Sequence, residues 1–342
     1  MINYRILPII LLLCCTACGT QRDIRPVTST RIIMDTYVTF TIYNDDVADR
    51  ERKMDLDSAF AELHRVENLI SSFVADSKIS EINRQAGKKP VAIPSEVHRL
   101  LQQAIVYSNK SDGDFDITVK PLMNLWDLKA DRPSKPFDWQ VEQWLPMVNW
   151  RNMELTPETA YLNEQGMGID MGAIGKGYAV DQGMKVLIGM GHDHVVANAG
   201  GDLLIYNTTG REHVVGVRHP AVDIPDSCVA EFSVVSGGIA TSGNYERYFI
   251  EDGVRYHHIL NPHTGFPANI SVSATIITQT AMDADVLATA AFVKGPVAGI
   301  EYLESLPGVE GIIYYRDGEK ICDVVTSGMV KKYGYQRYAD DS

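Results

Sequence analysis

Cysteine is scarce in this chain. Of five cysteines in 342 residues, only Cys228 and Cys322 lie beyond position 18. Two cysteines do not make a disulfide framework, and no C-x-x-C follows Cys18, so a thiolate zinc site is not supported. Basic charge is also short: 31 Lys and Arg face 44 Asp and Glu, for a net charge of −13. That balance argues against a nucleic-acid surface, which needs a basic footprint. It does not exclude a phosphate-bearing ligand, because a metal ion can supply the local positive charge. Beyond the N-terminal segment no apolar run approaches bilayer length, so the rest is expected to be a soluble domain.

Several familiar motifs are missing as well. There is no G-x-S-x-G, which removes the serine hydrolase elbow. Gly172-Ala173-Ile174-Gly175-Lys176-Gly177 is too short for a Walker loop and has Gly177 where Ser or Thr is required. Asp112, Asp114 and Asp116 occupy the first three ligand positions of an EF-hand loop, but Ile117 replaces the glycine and Met123 the closing glutamate.

What is present starts with an address. Arg5 precedes an apolar run, Ile6 to Cys15, that is too short for a transmembrane helix and fits a signal peptide. Thr16-Ala17-Cys18 resembles a bacterial lipobox, in which the cysteine is acylated and becomes the N-terminus. Cys15 departs from the usual Leu. The expected organisation is a lipoprotein signal peptide over 1–17, a tether over 18–30 and one domain over 31–342. Secretion without a lipid is the alternative. About 320 residues can bury a large core.

Hydrophobic spacing then sets the fold class. Val38, Phe40 and Ile42 alternate with threonines as in a half-buried strand, and Leu56, Phe60, Leu63, Val66 and Ile70 recur at helical spacing. Ser95 is expected to cap a helix carrying Val97, Leu101, Ala104 and Ile105. Residues 131–150 look irregular, with at most a short helix. A strand-like start at Met167 runs into a glycine-rich turn and a helix over about 174–188. Strand candidates follow at 194–197, 202–206, 213–217, 228–235, 239–249 and 272–278, then a helix over 283–293, another helix, and strands near 311–315 and 320–325. Strands follow strands too closely for βαβ crossovers, so the class is α+β with mostly antiparallel sheets and packed helices.

Individual motifs are modest. Asp285 and Thr289 project from one face of a predicted helix, and a carboxylate with a hydroxyl suits Mg²⁺. Taken alone, the pair is more often a solvated helix start. Gly172 to Gly177 opens a helix with Lys176 in its first turn, a place that favours phosphate but is also an ordinary strand-to-helix turn. His257 and His258 precede the turn Asn261-Pro262-His263-Thr264-Gly265, and a histidine there is either a base or structural. The polar block Thr241 to Arg247 is either a ligand-facing surface or a glycine-centred hairpin.

The ordered set is more telling than any member. It runs Met34-Asp35-Thr36, Ser77-x-Ile79-Ser80-x-x-Asn83, Phe115-Asp116-Ile117-Thr118 with Trp126, Asp170-Met171-Gly172-Ala173-Ile174-Gly175-Lys176-Gly177-Tyr178, Asn198-Ala199-Gly200-Gly201-Asp202, Thr241-Ser242-Gly243-Asn244-Tyr245, His258-Ile259-Leu260-Asn261-Pro262-x-Thr264-Gly265 and Ala284-Asp285-x-Leu287-Ala288-Thr289. From about Thr30 to about Gly295 the chain resembles the ApbE family of FAD:protein FMN transferases. The resemblance implies an ApbE-like (T-fold-like) α+β fold with two related lobes around a flavin. It implies Mg²⁺ held by Asp285, Thr289 and main-chain oxygens at Ala173 and Ala288. Met34, Phe73, Asp114, Phe115, Asp116, Asp170, Lys176 and Ile259 match positions lining the FAD site. His258 matches a histidine near the reacting phosphate, with Asp285 the other candidate base. Departures are Asp35 for a usual Gly, Phe73 for a frequent Tyr and Asn261 for a common Asp.

The implied reaction transfers FMN from FAD, the substrate, to a Thr or Ser hydroxyl of an acceptor flavoprotein and releases AMP. Acceptors in this family belong to membrane redox complexes of the sodium-pumping NADH:quinone reductase (Nqr) and Rnf type. With the signal peptide, this implies export and a lipid anchor on the periplasmic face of the cytoplasmic membrane. Mg-dependent hydrolysis of FAD to FMN and AMP, or FAD binding without chemistry, are the alternatives. No nucleic-acid partner is expected.

Overall fold

The computed structural model describes residues 25–43, 47–220 and 227–338. The expected signal peptide and Cys18 lie outside these residues. The chain opens with β1 (Val27–Ile33) and β2 (Thr36–Ile42). β1 corrects part of the expected tether, since residues 27–30 pair with residues 39–42 of β2. Their polarity reads as linker, but it belongs to an edge strand that buries only Val27 and Ile33 at its ends.

Helix α1 (Asp49–Ile70) buries the predicted stripe of Leu56, Phe60, Leu63, Val66 and Ile70. Ser77 caps α2 (Lys78–Arg84), its Oγ accepting the Ser80 N–H at 3.0 Å. The short β3 (Val91–Ala92) leads to α3 (Ser95–Lys110), whose cap residue is Pro94; Ser95 is already helical. Next come α4 (Lys120–Trp126) and α5 (Asp138–Trp144), then the hairpin of β4 (Met153–Leu155) and β5 (Thr159–Leu162). The strand expected at Met167 is an isolated bridge between Gly168 and Val119 before α6 (Gly175–Gly189).

Five strands follow: β6 (His194–Ala199), β7 (Asp202–Asn207), β8 (His213–Arg218), β9 (Cys228–Val234) and β10 (Gly237–Gly243). The strand expected over 239–249 is divided. The polar block after Gly243 turns the chain into a separate hairpin of β11 (Tyr248–Glu251) and β12 (Val254–His257). The rest is β13 (Ser271–Thr278), α7 (Ala281–Lys294), α8 (Pro296–Glu304), β14 (Glu310–Asp317), β15 (Lys320–Val325), α9 (Ser327–Tyr333) and β16 (Gln336–Arg337). Cys228 and Cys322 are both free thiols.

The main sheet has the order β1-β2-β6-β7-β10-β13-β14-β15, and every pairing in it is antiparallel. Strand alternation sends successive residues to opposite faces. Ala240, Ile276 and Ile313 face a core shared with α7 and α8, whereas Ile239, Ile277 and Ile312 join a core with the small sheet β16-β9-β8. β13 is therefore buried at every position. On the other half, α1 and α6 cover β2 and β6 with Leu56, Phe60, Leu63, Val180 and Leu187. The mixed α+β architecture with antiparallel sheets is the one the strand spacing predicts.

Helix α7 is rich in alanine and approaches its neighbours closely. A β-carbon at Gly177 in α6 would lie 2.4 Å from the Ala281 carbonyl oxygen, and one at Gly238 would lie 2.2 Å from that of Thr280. These glycines let α6, α7 and β10 meet at one corner, where the polar residues of all three converge.

Candidate active site

At that corner Lys176, in the first turn of α6, lies among oxygens. Its Nζ is 3.2 Å from both carboxylate oxygens of Asp285 on α7, 3.1 Å from Asp202 Oδ2 and 3.2 Å from the Gly172 carbonyl. The Gly177 N–H also donates to Asp285 Oδ2 at 3.3 Å. Burial alone would push the Lys176 ammonium down, but the charges of Asp202 and Asp285 outweigh it and hold it above its ordinary value. Burial raises the Asp202 carboxyl, and the Asp285 charge adds to that against the pull of Lys176.

Asp202 stands in the Asn198 to Asp202 motif, but sequence reasoning gave it no role in the site. Its signal is local. Gly200 and Gly201 have φ of +63° and +103°, and this tight β6–β7 turn places Asp202 first on β7. A β-carbon at Gly200 would meet Thr36 Oγ1 at 2.2 Å, so the turn also seats the β1–β2 hairpin.

Thr289, four residues after Asp285 on α7, is half-buried, and its hydroxyl is 3.2 Å from Ser242 Oγ at the end of β10. The expected helical juxtaposition is present. Ala173 lies in the turn before α6, and Ala288 is buried within α7. Among the described residues no group of three or more His, Cys, Asp or Glu is assembled for a metal. The donors that do converge are all hard oxygens already gathered around one cation, Lys176, and that chemistry suits Mg²⁺.

The two adjacent histidines differ. His257 is buried; its Nδ1 accepts the Ile259 N–H at 3.3 Å and its Nε2 donates to Asn269 Oδ1 at 3.2 Å, so both ring nitrogens are used. His258 is half-buried and points Nδ1 at the Arg247 carbonyl, 3.4 Å away. Burial pushes it down to about 4, with His257, Arg247 and Lys176 adding repulsion, so its ring is neutral at neutral pH.

The other sequence candidates separate by exposure. Phe73, just after α1, is 73 % exposed, with Lys120 and Lys129 standing 5.1 and 4.6 Å from its ring centroid. Asp170 accepts from the Gly172 N–H at 2.8 Å and from Ser72 Oγ at 3.3 Å, next to the same lysine, Lys120. Met34 forms half of the β1–β2 turn, its N–H donating to Glu67 Oε1 at 2.8 Å. The void between Met34, Thr36, Ala199 and Lys176 measures about 10 Å³, room for one water. Asp35 completes the turn with φ of +61°. That conformation explains why glycine suits the position, and aspartate tolerates it better than most residues.

Phe115, Asp116 and Ile259 turn inward. Phe115 and Ile259 belong to the core clusters. Asp116 is buried and accepts from the Thr118 N–H and Oγ1, both at 2.7 Å, and from the Trp150 N–H at 3.1 Å. Asp114 is paired with Lys294 at 2.6 Å and with His263 at 3.3 Å. The structure thus gathers Lys176, Asp285, Met34 and Asp170 around the α6 entry, sets Thr289 one turn further along α7, packs Phe115 and Ile259 into the core and holds the Asp116 carboxylate in local hydrogen bonds.

Known proteins resemble this chain over most of its length. The model of the ApbE family matches residues 34–313. A FAD:protein FMN transferase of Treponema pallidum is 31 % identical over 335 residues, 92 % of this chain and 92 % of that protein. One from Klebsiella pneumoniae is 28 % identical, covering 87 % of this chain and 92 % of its own. The crystal structure of the ApbE protein of Thermotoga maritima superposes with a TM-score of 0.79 at 27 % identity, covering 89 % of this chain and 97 % of that one.

Proposed function

Since the chain belongs to the ApbE family, we propose that it transfers FMN from FAD to a Thr or Ser hydroxyl of an acceptor protein, with Mg²⁺ bound. The convergence of Lys176, Asp285 and Asp202 at the α6 entry, beside the Thr289 hydroxyl, carries this reading. The acceptor oxygen attacks the phosphorus nearer riboflavin, the pyrophosphate P–O bond breaks, and AMP leaves with the bridging oxygen. Mg²⁺, when bound, neutralises charge on the two phosphates.

Asp285, the Thr289 hydroxyl and main-chain oxygens at Ala173 and Ala288 would hold the ion. Lys176, paired to Asp202, would offer its fixed charge to the phosphate oxygens. The positive end of the α6 dipole lies at the same place and favours those oxygens. His258, neutral and with Nδ1 turned to the Arg247 carbonyl, presents Nε2 as acceptor for the hydroxyl proton. Phe73 offers an exposed ring for stacking, flanked by two ammonium groups. The acceptor is proposed to be a flavoprotein subunit of a membrane redox complex, reached from a lipid anchor at Cys18.

The test is incubation with FAD, Mg²⁺ and a candidate acceptor domain, reading covalent flavin by denaturing-gel fluorescence and AMP in parallel. Fluorescent acceptor with equimolar AMP supports transfer. AMP with free FMN and unlabelled acceptors makes the protein a hydrolase, and FAD binding without AMP makes it a carrier.

A further inference from the structure

The β1–β2 turn is strained and charged. Its two central residues, Met34 and Asp35, both have positive φ, +54° and +61°, a turn that ordinarily takes Asn-Gly. A methionine in that region costs backbone energy, and such strain persists where the surroundings fix it. Here the surroundings are partly ionic. Asp35 Oδ2 is 2.7 Å from Lys129 Nζ and 3.1 Å from Arg247 Nη2. Lys129 comes from the segment after α4 and Arg247 from the one before β11, so one carboxylate ties three distant parts of the chain together.

The tie lies over the candidate site. Lys129 stands above the Phe73 ring, Arg247 carries the carbonyl that His258 faces, and Met34 borders Lys176. Two cations so placed are what the phosphates of a dinucleotide require, yet both are turned onto the single charge of Asp35. The three side chains are 66, 49 and 50 % exposed, so their pairing is weak, screened by salt and open to exchange.

We propose that Asp35 is a built-in stand-in for the substrate anion: it holds Lys129 and Arg247 across the site entrance in the ligand-free chain and yields both to the phosphates of FAD. The inference rests on the reading of this site as a FAD site. It makes Asp35 a determinant of affinity for anionic flavin, one that leaves the bond-breaking step alone. Removing its charge strengthens binding, because the incoming phosphates no longer compete with a tethered carboxylate.

The experiment titrates the full chain in detergent with FAD and, separately, with riboflavin, which has no phosphate, following flavin fluorescence. Asp35→Asn keeps a residue suited to left-handed backbone and removes only the charge. The expected result is FAD binding tighter by about two- to fivefold at low salt, as for an exposed ion pair. Riboflavin affinity stays unchanged, and the gain fades as salt is added. Lys129→Gln and Arg247→Gln each weaken FAD and leave riboflavin alone. If wild type binds FAD but Asp35→Asn binds it equally or more weakly, or shifts riboflavin to the same degree, the stand-in is wrong and the flavin site survives. If wild type binds no FAD at all, the functional reading fails first and takes the stand-in with it.

Discussion

At the scale of single residues, the candidate site is a charge balance. Asp285 and Asp202 share one lysine, and each has a second tie, Asp285 to the Gly177 N–H and Asp202 to the main chain at Thr241. Asp285→Asn should therefore leave the fold close to its original melting temperature, since Lys176 keeps Asp202 and the amide oxygen still accepts from Gly177. AMP release from FAD should fall by about two orders of magnitude or more, as when a group that stabilises transition-state charge is lost. Thermal melts and AMP assays on the same preparation check both halves; a large drop in melting temperature would make Asp285 structural. Another buried carboxylate is unrelated to the chemistry but supports the same helix. Asp181 on α6 accepts the N–H groups of Ala281 and Met282 at 2.9 and 3.1 Å, capping α7. Burial raises it from 3.8 to about 6 against those two hydrogen bonds. The folded chain thus holds this proton more tightly than the unfolded one, so its contribution is greatest below about pH 4 and is lost as pH rises through 6. The change is on the order of 2–3 kcal/mol. Relative to wild type, Asp181→Asn should gain melting temperature steadily from pH 4 to 7, and a difference independent of pH would refute the assignment.

At the scale of elements, the site exists because α6 and α7 meet at a glycine. Gly177→Ala would drive a methyl group to within 2.4 Å of the Ala281 carbonyl, which is backbone and cannot swing aside. It should cost about 1–3 kcal/mol, as overpacking does, and should slow AMP release further by separating Lys176 from Asp285. Gly189→Ala, at the far end of the same helix, meets nothing within 4 Å and should be neutral or slightly stabilising. Equal effects of the two substitutions on melting temperature and rate would show that the contact does not matter. The same elements show what a sequence can display. The stripe of α1 and the alternation of β2 are legible because each buries a single face. β1 is not, since an edge strand of Thr, Ser and Arg exposes most of its length and reads as linker. The break between β10 and β11 is hidden because apolar residues flank the polar turn on both sides. Asp285 with Thr289 is visible as helical spacing, and Lys176 as the first turn after a glycine-rich stretch. Phe115, Asp116 and Ile259 are matched only through resemblance; the first and last have side chains committed to packing, and the Asp116 carboxylate is committed to local hydrogen bonds. Arg247 is marked only as the end of a polar block and Lys129 by nothing local; they become neighbours of Asp35 only once three segments far apart in sequence are folded together.

At the scale of the whole molecule, the early start of the domain bears on where it can act. β1 begins at Val27, so if Cys18 carries the lipid, only residues 19–26 separate anchor from sheet. Eight residues can span at most about 28 Å when fully extended. No described helix is long and apolar enough to cross a membrane. The catalytic domain would then be confined to a thin layer above the bilayer, within reach of the membrane-bound acceptors proposed for it. Cys18→Ala should move the protein from the membrane fraction to the soluble one in fractionated cells. It should cut flavin labelling of a membrane-bound acceptor in those cells, while AMP release by the purified domain with a soluble acceptor stays the same. Protein that remains with the membranes after a salt wash despite the substitution would rule out the anchor. Loss of membrane attachment with full labelling retained would show that confinement is unimportant and that encounter in solution suffices.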